Sequence, residues 1–158
     1  MTNSGDQRKT GTLQFMAIGV LEGQERHTYY HDLESFYYLL IWVCIEYHRD
    51  LKPSEDRPLL HDLLSAWGDF SRAAKFKGYL SLHGPYFEEL LSLFKGPFEI
   101  VKPLVRQLRS ILPFDIDSRK RPDDDMTIYQ QVVDAFKQHI TPCANHPDFS
   151  TVLGNREA

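Results

Sequence analysis

The chain has 158 residues, 42% of them hydrophobic and 25% charged, with a formal net charge of -4. That length suits one globular domain with one core. The weak negative balance excludes the broad basic surface that nucleic acid or anionic lipid requires, leaving only a local cluster at Arg119, Lys120 and Arg121. Two cysteines, Cys44 and Cys143, are too few for a disulfide framework, and Cys44 reads as a small core hydrophobe.

In chain order, residues 1–12 are polar, carry no core and are expected to be disordered. Ser4 and Thr10 there could accept phosphate, as hydroxyls of any polar terminus can. No apolar h-region directs secretion, so an intracellular protein is expected. Residues 13–21, LQFMAIGVL, form a short apolar run that could be extended or a single helical turn, closed by Glu22 and Gly23.

A polar link then leads to residues 31–47, HDLESFYYLLIWVCIEY, where every side chain from 36 to 45 is apolar or aromatic. A helix with no polar face is a buried one. It is too short for a membrane span, which takes about 20 apolar residues, and Asp32, Glu34 and Glu46 sit at its ends. The run therefore predicts the central post of a mainly α fold. His27 and His31 are spaced to share a helix face, but a third zinc ligand is lacking and Thr28 stands where H-E-x-x-H has its glutamate. Hydrogen bonding at the helix entrance is the expectation for both.

Pro53 and Pro58 break the chain after this helix, and Pro58 can open another through Leu59, Leu60, Leu63, Leu64 and Trp67 to Gly68. The next helix is expected over 71–80 with Ser71 as its N-cap and with Lys75 and Lys77 solvated. Pro85 starts a pattern in which Phe87, Leu90, Leu91 and Phe94 share a face and Gly96 stops it. In FEIVKPLVRQLRSIL, Pro103 either kinks a helix or marks its start. A linker over 113–125, with Phe114 and Ile116, leads to a last helix over 126–140. Thr127 and Gln130 have capping-box spacing there, and Asp123, Asp124 and Asp125 suit its dipole. Residues 141–158, with Pro142 and Pro147, read as a flexible tail. No internal repeat is present.

Gly11-Thr12, Phe15-Met16-Ala17 and the later run His31-Asp32-Leu33-Glu34-Ser35-Phe36, continuing to Cys44, together resemble the fungal-type protein kinase family. Trp67, Ala73, Ala74, Lys75, Tyr79 and Leu80 carry a weaker likeness. The resemblance implies the helical C-lobe of a protein kinase-like fold over residues 13–140, built around the buried helix, with the N-lobe absent. It implies that Thr12 hydrogen-bonds the catalytic acid and lysine, a task that suits a hydroxyl able to donate and accept. Phe15, Met16, Ala17 and Ile18 would form the floor beside the phosphoacceptor. Asp32 would hold backbone amides of the catalytic loop, since a carboxylate accepts several N–H groups. Read from the residues alone, Thr12 is a turn residue, Asp32 an N-terminal helix acid and Ser35 a small packing residue.

One position departs from the family pattern. Gly19 stands where protein kinases carry a glutamate that pairs with an arginine before the last helix. Arg121 is the nearest candidate for that arginine and is therefore expected to be exposed.

Residues 48–55, HRDLKPSE, and 68–71, GDFS, imitate a catalytic loop and a near D-F-G. Both follow the segment they should precede, Glu55 replaces the metal-binding asparagine, and Ser71 replaces the glycine. Asp50 and Asp69 are therefore expected to be polar loop residues, with an active minimal kinase built on them as the outlying reading. No Gly-rich loop, strand lysine or helix glutamate precedes the central helix. The expectation is a kinase-derived fragment that does not turn over ATP alone, ATP and Mg entering only with a supplied N-lobe, and its partner a protein substrate. The rival is a noncatalytic module that binds a protein partner.

Overall fold

A computed structural model describes residues 12–23, 27–49, 65–114 and 125–147, and every regular element among them is helical. The run at 13–21 is neither extended nor a single turn. A 3-10 helix, Leu13–Phe15, is followed by helix α1, Ile18–Glu22, which Gly23 closes in the left-handed conformation at φ 68°. Helix α2 spans Tyr29–Arg49.

Against expectation, α2 is not buried on every side. Its buried stripe is His31, Glu34, Tyr38, Ile41 and Ile45, joined by Tyr37 and Cys44, whereas Phe36 is 63% and Val43 40% exposed. An apolar sequence sets what a helix can bury, but neighbours decide what it does bury. Among the described residues they pack on the stripe side, with Trp67 edge-on to Tyr38 at 5.3 Å and Phe114 against Tyr37 at 5.3 Å. The first buried positions of the stripe are polar.

A helical turn at residues 65–67 brings in Trp67, and helix α3, Phe70–Leu82, follows. Its N-cap is Asp69, not Ser71: the aspartate accepts from the Ser71 amide at 2.9 Å, so the helix starts one residue before Ser71. Lys75 is exposed as expected, but Lys77 is fully buried. Lysines two apart on a helix lie on roughly opposite faces, and Ala73, Lys77, Leu80 and Ser81 form the buried one.

Helix α4, Gly84–Ser92, has Pro85 in its first turn and buries Phe87, Leu90 and Leu91, with Phe94 buried just beyond. Gly96 does not stop this helix but opens a 3-10 helix, Gly96–Val101. Pro103 lies in the first turn of helix α5, Lys102–Ile111, which resolves it as a start and not a kink. Leu104, Val105 and Leu108 face inward.

Helix α6, Asp125–Ala144, packs against α5 and passes the expected end at 140 into the segment read as tail. Pro142 sits in its last turn, where a proline removes a single backbone bond. The capping box is not made. Thr127 is already inside the helix, and the Gln130 amide donates to Asp134 at 2.8 Å. Expectations on residues 1–11, the helix from Pro58 to Leu64, Asp50, Ile116, Arg121, Asp123 and Asp124 lie outside the described residues.

One cluster gathers residues from α2 to α6 into a common core. A smaller one joins Met16 and Leu21 to Ala73, seating α1 on α3. The short segment 12–22 is thus held between α2 and α3, and that position creates the site.

Candidate functional site

Thr12, Phe15, Met16, Ala17 and Val20 from the first segment meet His27, Asp32 and Ser35 from the start of α2 around an open groove of about 210 Å³. Ala17, 1% exposed, and Met16, 8%, form its packed base. Phe15 is fixed edge-on to Trp42 at 5.7 Å. Thr12 is exposed at the rim. Ile18, expected in the floor, instead turns its side chain into the main core.

Asp32 stands at the mouth with a largely exposed carboxylate, 3.3 Å from His27 Nε2. Ser35 donates to the His31 carbonyl at 2.8 Å, an in-helix bond that removes its hydroxyl proton from other use. His31 is 1% exposed and its Nδ1 accepts the Thr28 amide at 2.9 Å. The side chain three residues into the helix therefore reaches back to the entry amide, as the glutamate of a capping box does. The two histidines stack at 5.7 Å and serve the helix entrance. Among the described residues no group of three or more His, Cys, Asp or Glu side chains could hold a metal ion.

The groove floor is tied down by two charged side chains that sequence reading missed. Glu34, 2% exposed, accepts the Ile18 amide at 2.9 Å and the Tyr38 hydroxyl at 3.0 Å. Lys77 Nζ donates to the Met16 carbonyl at 2.6 Å and reaches the Leu13 carbonyl at 3.4 Å. It lies 4.5 Å from the Tyr38 ring centroid and 5.6 Å from that of Trp67, so rings cover the faces that carbonyls leave open. Tyr38 also shares a hydrogen bond with Ser81 at 3.1 Å. The signal in the sequence was periodicity: Glu34 falls on the stripe of Tyr38, Ile41 and Ile45, and Lys77 on that of Ala73 and Leu80.

Burial lowers the Lys77 pKa to about 7, with the Glu34 charge acting in the opposite direction. The unfolded chain therefore holds a proton above pH 7 that the folded chain has released, and stability should rise with pH there by at most about 1.4 kcal/mol per pH unit. Burial also pushes the Cys44 thiol up to about 12 and raises the Tyr38 hydroxyl well above its ordinary value. The fold keeps those protons while an unfolded chain sheds them from about pH 9 upward, so stability falls there. Denaturant titration across pH should show a climb from about pH 7 and a decline past about pH 10. A monotonic profile over that range would contradict this account.

Of the near-catalytic runs, the structure describes His48, Arg49 and residues 68–71. His48 and Arg49 lie in the last turn of α2. Asp69 accepts from the Ser71 hydroxyl at 2.7 Å and from Arg72 Nε at 3.0 Å. These partners, Ser71 first, hold its carboxyl below the usual range.

The residues that line the groove lie in one stretch of sequence, and a family model matches that stretch. Residues 1–44 match the family described as Fungal protein kinase. The fungal protein kinase match takes in every residue lining the groove and ends at Cys44, about three-quarters of the way along α2; Trp67 and Lys77 lie beyond it. No curated protein and no solved structure matches the chain.

Proposed function

We propose that this chain is the substrate-side helical lobe of a fungal-type protein kinase domain, noncatalytic with its own residues. The observation that carries this reading is the groove: Thr12, Phe15, Met16, Ala17 and Asp32, each assigned to the substrate platform or to loop anchoring by resemblance, line one concavity from two separate elements. Asp32 offers it an open carboxylate, the right chemistry for accepting backbone amides. Asp69, the aspartate of the near D-F-G, bonds Ser71 and Arg72 through both carboxylate oxygens, and among the described residues no group of three or more His, Cys, Asp or Glu side chains could hold a metal ion.

A polypeptide carrying the ATP-binding lobe and catalytic loop of a fungal protein kinase should bind this chain one to one. Asp32→Ala should weaken that complex by about 10- to 100-fold, the worth of a charge-assisted hydrogen bond. No binding would overturn the reading. MgATP alone should leave the melting temperature unchanged, whereas a shift lost in Asp69→Ala would restore the minimal-kinase alternative.

A second reading, a noncatalytic module for a protein partner, is favoured by Phe36 and Val43, exposed along one side of α2. This reading expects the chain to fold stably alone, and a monodisperse monomer with a sharp melt would count against the exposed patch as its docking surface.

A further inference from the structure

The groove floor belongs to a short segment between two helices, and such a segment does not choose its own register. α1 spans only Ile18–Glu22, and its N-cap residue, Ala17, has no side-chain cap to offer. Isolated helices of that length are unstable in water. The segment is seated from outside, and the groups that reach it are ionisable and come from two different helices.

We infer that Lys77 and Glu34 are positioning residues for the groove: from α3 the lysine holds the carbonyls of Leu13 and Met16, and from α2 the glutamate holds the amide of Ile18. The three bonded positions bracket Phe15, Met16 and Ala17, which line the groove, so a change at either charged group moves the floor. The assignment takes the groove as the functional site and therefore rests on the reading above.

The arrangement is specific to these two side chains. A buried ammonium needs acceptors on every proton or a π face over it, and Lys77 has two carbonyls and the rings of Tyr38 and Trp67. A buried carboxylate needs donors, and Glu34 has the Ile18 amide and the Tyr38 hydroxyl. Among the described residues, the titratable groups facing Lys77 are Glu34 and Tyr38, both from α2. The first segment contributes carbonyls, and the turn at 65–67 contributes an indole.

Lifting the floor off Lys77 would return the amine to water and let it take up a proton, because burial holds its pKa at about 7 in the seated state. Opening of the floor should therefore become rarer by up to about tenfold per pH unit between pH 7 and 9, one proton being bound per opening event.

Amide hydrogen exchange tests this on the whole chain with neither nucleotide nor substrate, so its outcome is independent of whether a kinase loop binds the groove. After correction for intrinsic exchange, the Ile18 opening constant should fall with pH as stated and should exceed that of Leu108 in α5, which reports global unfolding. In Lys77→Met the pH dependence should vanish. In Glu34→Gln, which keeps an acceptor for Ile18 but removes the charge that supports the ammonium, the fall should begin at lower pH; this arm still decides if the methionine variant does not fold. Equal opening constants for Ile18 and Leu108, a wild-type constant flat from pH 7 to 9, a slope retained in Lys77→Met, or an onset unmoved in Glu34→Gln would overturn the assignment.

Discussion

Glu34→Leu should destabilise the chain by about 3–5 kcal/mol at pH 6, because it leaves a buried cation without its opposing charge. The same change strips the Ile18 amide and the Tyr38 hydroxyl of their acceptor, in a place where Glu34 is 2% exposed and Tyr38 fully buried. The loss should shrink at pH 8. Lys77, already held near neutrality, can then shed its proton instead of remaining charged and unsupported. Denaturant unfolding at the two pH values measures both numbers. An equal loss at each would mean that Glu34 acts only as a hydrogen-bond acceptor and not through its charge.

Phe87→Ala should cost a similar amount, about 3–5 kcal/mol, by opening a cavity that rigid neighbours cannot fill. Phe87 is 2% exposed in the main cluster, and the Arg109 guanidinium lies 4.5 Å from its ring centroid. Arg109 also donates from Nε to the Ser81 carbonyl at 2.9 Å, and Ser81 in turn bonds Tyr38. The ring thus supports a chain of contacts that runs from α5 through the end of α3 to α2. A double-mutant cycle with Arg109→Ala should return a coupling of about 0.5–2 kcal/mol, the range for a cation over an aromatic face. Additive losses would show that the ring contributes packing alone.

Why Lys77 escaped a reading of the sequence is instructive. Lysine is almost always solvated, and the composition prior places Lys75 and Lys77 together on the surface. Helical geometry separates them, and it puts Lys77 in register with Ala73 and Leu80. That much was available from spacing. Which carbonyls would accept its protons was not, since Leu13 and Met16 lie more than sixty residues earlier in the chain. The same holds for Asp69, whose capping role depends on where the helix begins and not on its resemblance to D-F-G.

The amino-acid order by itself determined the helical class, the apolar identity of the central helix, the proline start at Pro85, and a family resemblance that residues 1–44 carry. These are local properties, written in periodicity, in φ-restricted residues and in a contiguous motif. Tertiary structure decided that Phe36 and Val43 face outward, that Ile18 belongs to the core and not the groove, and that Glu34 and Lys77 are interior. The reason is that burial depends on which neighbours arrive. A charged side chain becomes a core residue only where elements distant in sequence bring it the carbonyls, amides and rings that replace water.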